Sequence, residues 1–177
     1  MRTVLLGDSH LARVRRDLGR LTSSGGAIVN HAVGGSFASD LVPQATAAAL
    51  SGSDRVAVSV GTNDAAPWKQ VGLDRVLTHV DEFLAGVGSV ADRLVFVTPP
   101  GVDQSRLRGA NDRTNADVAR YSSRLSEAFE DTGATVLDAA ALLVPLGAAA
   151  FVDDGVHLSG DGYDVLLPAL RAALDRA

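Results

Sequence analysis

The segment DDGVHLSGDGY, residues 153–163, places Asp154 three positions before His157, close to the end of the chain. A carboxylate that holds an imidazole fixes its tautomer and stabilises its protonated form, so such a pair can move a proton. The group it would activate is Ser9, in GDSH at 7–10. A serine hydroxyl is a poor nucleophile until a base takes its proton. His157 would be that base and Asp154 its orienting acid. Attack on a carbonyl creates an oxyanion, which needs fixed donors. Gly35 offers a backbone N–H with no side chain in the way, Asn63 in GTND at 61–64 offers its amide, and Ser9 offers its own N–H. Each residue also has an everyday role. Ser9 would serve as a helix N-cap, Gly34–Gly35 as a tight turn, Asn63 as an Asx-turn, and Asp154 with His157 as a surface turn. All of them together, one per successive strand end, favour chemistry.

The elements that must position these residues alternate. TVLLG (3–7), AIVNHAV (27–33), RVAVSVG (55–61), RLVFVTP (93–99) and ATVLDAA (134–140) are short, β-branched and mostly apolar on both faces, the pattern of buried parallel strands. Between them lie helical stripes: Leu11, Val14, Leu18 and Leu21; Leu73 to Val87; Val118 to Phe129; and Tyr163 to Leu174, where Pro168 predicts a kink. The alanine-rich stretch 41–50 reads as helical too. Strand–helix alternation of this kind predicts one doubly wound α/β domain over 1–177. Sites in such sheets form beyond the carboxyl ends of the strands, where GDSH, GGS (34–36) and GTND fall. The long irregular piece 99–115 is of a length that is often functional.

Composition narrows the classes. With 177 residues and 46% hydrophobic content, the chain has material for one sizeable core. The absence of cysteine removes disulfides, thiolate metal sites and cysteine nucleophiles. A net charge of -5 argues against general nucleic-acid binding. The arginines at 13, 15, 16 and 20 are read as the solvated face of a helix. No apolar run approaches the ~20 residues of a membrane span. The opening MRTVLLGDSH lacks the pattern of a secretory leader, so a cytoplasmic location is expected. The four histidines show no ligand spacing, and no metal or organic cofactor is expected. His31 and His79 are read as structural, Trp68 and Phe37 as packing residues.

Taken together, GDS at 7–9, Asn30 with Gly34–Gly35, GTND at 61–64 and DGVH at 154–157 resemble the four sequence blocks of the SGNH hydrolases, also called GDSL esterases/lipases. The resemblance spans nearly the whole chain. It implies a flavodoxin-like three-layer α/β/α sandwich with a five-stranded parallel sheet. It implies Ser9, His157 and Asp154 as the triad, and the N–H groups of Ser9 and Gly35 with the Asn63 amide as the oxyanion hole. Asp8 and Gly34 would be supporting residues. His10 departs from the usual leucine and puts a titratable group near the nucleophile.

The expected activity is a serine esterase that cleaves short acyl groups, such as acetyl, from small molecules or carbohydrates through an acyl-enzyme. An acyltransferase would use the same serine and pass the acyl group to an alcohol or amine, with Trp68, Phe37 and the 99–115 loop shielding it from water. A non-catalytic binding module on the same fold is the third reading. Arg106, Arg108 and Arg113 of the long loop would either attract an anionic group or stay solvated. Substrate identity and oligomeric state are not legible in the residues.

Overall fold

Alternate residues of each central strand face opposite sides of the sheet, and both sides are apolar, so both must be covered. In the computed structural model, which describes residues 2–21, 26–69, 71–109 and 112–177 (without the side chains at 16, 89, 91 and 92), five strands do this. They are β1 (Thr3–Gly7), β2 (Ile28–Asn30), β3 (Arg55–Ser59), β4 (Leu94–Val97) and β5 (Thr135–Leu137). All neighbours are parallel, in the order β2-β1-β3-β4-β5. Val4, Leu6, Val56, Val58, Leu94 and Phe96 face a core closed by α2 (Leu41–Ala48), α3 (Leu73–Gly86) and α4 (Asn115–Glu130). Leu5, Ala57, Val95 and Val97 face the second core, closed by α1 (Ser9–Ala12), α5 (Ala139–Leu143) and α6 (Gly160–Arg176). The result is the three-layer α/β/α arrangement, with the strand order that reverses between β1 and β3.

Several boundaries differ from the sequence reading. The second strand ends at Asn30, because its carboxamide accepts from Ala32 N–H and donates to the Leu11 carbonyl, which turns the chain out of the sheet. His31 therefore follows the strand and is half-buried. The fifth strand stops at Leu137, since Asp138 accepts from Ala141 N–H and starts α5. The stripe Leu11–Leu21 is not one helix: α1 passes into 3-10 turns over 13–16 and 18–21. The arginines accordingly do not share one helix face, although Arg13 and Arg15 are exposed as expected, and the Arg16 side chain lies outside the described residues. So do residues 110 and 111 of the long loop. Helix α6 runs on through Pro168. Pro168 and Asp164, whose carbonyl loses its partner, are both exposed, so water can satisfy that carbonyl.

The end of β1 is the tightest point of the fold. Gly7 has φ +114, and a Cβ there would sit 1.9 Å from the Ser59 carbonyl oxygen. Only glycine fits. Gly7→Ala is expected to cost about 3 kcal/mol or more, from backbone strain and overpacking together. Urea unfolding would show it as a lower midpoint with an unchanged slope.

Candidate active site

The β1 exit is fixed before the chemistry begins. Gln44 of α2 accepts from Gly7 N–H at 2.5 Å and donates to the Gly7 carbonyl at 3.0 Å and to Ser36 Oγ at 3.1 Å. Asp8 is the N-cap of α1, with its carboxylate accepting from His10 N–H at 3.0 Å. Ser9 is thus the first residue of α1 rather than its cap, and its side chain is released from the structural role that the sequence allowed it. It keeps 8% exposure at the floor of a cleft. From α6 in the same layer, Tyr163 Oη donates to the His10 carbonyl at 2.8 Å, tying α6 to α1.

The late loop brings the second group. Asp154 Oδ1 accepts the backbone N–H of Val156 and of His157, both at 2.9 Å. Asp154 Oδ2 stands 2.6 Å from His157 Nδ1. Burial would raise the Asp154 carboxyl, but the bonds from His157 and Val156 outweigh it and hold it down at about 2. Gly155 makes the turn possible: its φ is +71, and a Cβ there would meet the Asp103 carbonyl at 2.5 Å. Because the Asp154 value is depressed, its contribution to stability is complete above about pH 4 and is lost as pH falls through about 2.

The donors come from the next two strand ends. Gly35 is left-handed at φ +85, and Gly34 lies against the serine, its would-be Cβ 3.8 Å from Ser9 Cβ. The Asn63 amide donates one hydrogen to the Ser36 carbonyl at 3.0 Å, which leaves the second N–H to be aimed elsewhere. Asp64 is buried and accepts from Ala38 N–H at 3.0 Å and Gly61 N–H at 3.2 Å, so it locks the loops after β2 and β3 together. Arg113 donates to the Thr62 carbonyl at 2.8 Å and lies 4.9 Å from the Trp68 ring centre.

Ser9, Gly34, Gly35, Asn63, Asp154 and His157 all line this one cleft of about 770 Å³. Asp8 lies just beneath it, fully buried. A larger groove of about 1000 Å³ runs between residues 98–105, α4 and the 136–151 region, but no histidine lines it. Chemistry, not size, selects the smaller cleft. Its residues have the types needed for acyl transfer: a hydroxyl, an imidazole held by a carboxylate, and N–H donors. Among the described residues no cluster of three or more histidine or carboxylate side chains is placed to hold a metal ion, and no helix is long and apolar enough to cross a membrane.

Two buried groups behave otherwise than their residue types suggest. His10 does not titrate near neutrality: burial, then the charges of His157, Arg113 and Arg13, push it down to about 3. Its ring centre is 6.3 Å from that of His157. Burial pushes Asp8 up to about 7, against the hydrogen bond from His10 N–H. Trp68 is not a packing residue but stands 50% exposed in the cleft, with Arg113 bracing it. Phe37 is half-buried under Lys69. His79 is half-buried beside Glu82, 3.4 Å away.

The sequence reading missed Gln44, Asp64, Arg113 and Tyr163 as framework. Gln44 left one signal: Leu41, Gln44 and Ala48 form the buried stripe of α2, and a glutamine in such a stripe needs buried partners.

The GDSL-like Lipase/Acylhydrolase family model matches residues 5–165. Among solved structures, a lipase/acylhydrolase from Enterococcus faecalis is 21% identical with a TM-score of 0.81, over 97% of this chain and 93% of that one. The acetylxylan esterase Axe2 from Geobacillus stearothermophilus is 19% identical with a TM-score of 0.74, over 98% and 93%. A GDSL-like lipase from Bacteroides thetaiotaomicron is 13% identical with a TM-score of 0.76, over 99% and 88%. No curated protein matches the chain by sequence.

Proposed function

The chain belongs to the GDSL-like lipase/acylhydrolase family and is a carboxylic ester hydrolase, and from that premise we propose that it is a serine esterase for short acyl groups such as acetyl. Ser9 Oγ attacks the ester carbonyl while His157 takes its proton. The carbonyl oxygen becomes an oxyanion facing the N–H groups of Ser9 and Gly35 and the free N–H of Asn63. The ester C–O bond then breaks, and His157 gives its proton to the departing alcohol. Water, deprotonated by the same imidazole, attacks the acyl-serine and releases the acid. Asp154 stays ionised throughout and orients the ring, while Asp8 and Gly34 support the serine from below and beside.

One observation carries this reading: a serine, a carboxylate-held histidine and a pre-positioned amide share a single cleft. The size of the acyl group is read from the open cleft and from the likeness to an acetylxylan esterase. Hydrolysis of p-nitrophenyl acetate, butyrate and octanoate tests it. Activity is expected to fall along that series, and a preference for octanoate would overturn the short-acyl assignment. Trp68, half exposed in the same cleft as the serine, favours the acyltransferase alternative, in which an alcohol or amine replaces water. Transfer product without free acid, with such an acceptor present, would decide for it.

The amide has its own signature. Asn63→Ala is expected to lower kcat about 100- to 1000-fold with KM little changed, since the donor acts on charge that exists only in the transition state. An equal loss in KM alone would make Asn63 a ground-state contact.

A further inference from the structure

The protein is acidic, with a net charge of -5, yet its cleft is basic. Arg13, Arg15, Arg108 and Arg113 line it against Asp112 and Asp154. Both carboxylates are engaged, Asp112 with Arg113 at 3.2 Å and Asp154 with His157. Arg113 is buried and spent on Thr62 and Trp68. Arg106, named with it in the sequence, is likewise spent: it holds the carbonyls of Phe151 and Val152 and pairs with Asp103. Arg13, Arg15 and Arg108 are exposed and, among the described residues, have no carboxylate partner. Elsewhere Arg2, Arg20, Arg55, Arg120 and Arg124 each have one, while Arg75, Arg93, Arg171 and Arg176 have none among the described residues but lie outside the cleft. Unpaired guanidinium groups focused into a cleft against the protein's overall charge attract an anion.

Their placement says which half of the ester carries it. Arg13 follows Ser9 by four positions, one helical turn. Arg108 follows the segment 103–106, which is hydrogen-bonded to the His157 loop through Asp103 N–H to the Gly155 carbonyl at 2.8 Å. The departing alcohol receives its proton from His157, so it leaves on that side. Resting on the esterase reading above, we propose that the substrate is a short-acyl ester of an anionic alcohol, such as an O-acetylated acidic sugar. Arg13 and Arg108 grip the carboxylate, phosphate or sulfate of the alcohol half while its ester C–O bond breaks.

Acetate esters of one phenol series test this: 4-acetoxybenzoate, 4-acetoxyphenyl phosphate and 4-acetoxyphenyl sulfate against neutral 4-acetoxybenzamide, each rate divided by its hydroxide-catalysed rate. At low salt at least one anionic ester is expected to exceed the neutral one about tenfold in kcat/KM, through KM, and the excess fades as salt screens it. The favoured arm identifies the anion. In the Arg13→Gln/Arg108→Gln protein the ratio falls towards one, while Arg75→Gln, an exposed arginine on α3, keeps it. A ratio near one in the native protein, or one unmoved by the double substitution, overturns the inference and leaves the esterase reading intact. Failure to cleave any of the four esters, neutral one included, counts against the esterase reading and removes the inference with it.

Discussion

Ser9→Ala loses at least about 10,000-fold in kcat/KM on p-nitrophenyl acetate and keeps its stability. The two halves of this result come from one structural detail. Asp8, not Ser9, caps α1, so the serine hydroxyl is not needed to satisfy the helix. Removing it leaves the cap, the Gln44 bridge to Gly7 and the Tyr163 bond to the His10 carbonyl in place. The urea midpoint should therefore move by no more than a surface substitution would move it. A large loss of stability would mean that Ser9 is framework. Retained turnover would mean that another group attacks the ester.

His157→Gln is expected to cost a similar factor, about 10,000-fold, and Asp154→Asn about 1000- to 10,000-fold. The three losses should not multiply, because the residues act on one proton. The pH profile separates their roles. Asp154 is held at about 2, so it is ionised across the whole working range and cannot produce an acid limb above that. Asp8, raised to about 7 by burial, is a second group that could produce one. If the base is His157, an acid limb of the profile persists in Asp8→Asn. His157→Gln removes it. A limb that vanishes in Asp8→Asn but survives in His157→Gln would transfer the base role to the buried carboxylate.

Much of the fold was legible because buried parallel strands have a plain signature. RVAVSVG and RLVFVTP are apolar on both faces, and the observed β3 and β4 lie inside them. The strand ends were misjudged where side chains turn the chain: Asn30 and Asp138 stop β2 and β5 by bonding to nearby backbone, which apolar patterning does not register. The candidate residues Ser9, Gly34, Gly35 and Asn63 were legible as types at strand ends, and Asp154 and His157 as a pair before the last helix, and the structure brings all six to one cleft. What remained hidden was the layer beneath. Gln44 lies in an alanine-rich helix far along the chain from Gly7, and nothing local in its sequence announces that contact. The exposure of Trp68 and the freedom of Arg13 and Arg108 were hidden for the same reason, since both depend on long-range packing.

The most direct test of a nucleophilic Ser9 is covalent. The protein is exposed to a fluorophosphonate, and intact mass with peptide mapping locates the adduct. One phosphonyl group per chain is expected on the peptide that contains Ser9, absent from Ser9→Ala and formed far more slowly in His157→Gln. No adduct on folded protein, or an adduct on another residue that survives Ser9→Ala, would contradict it.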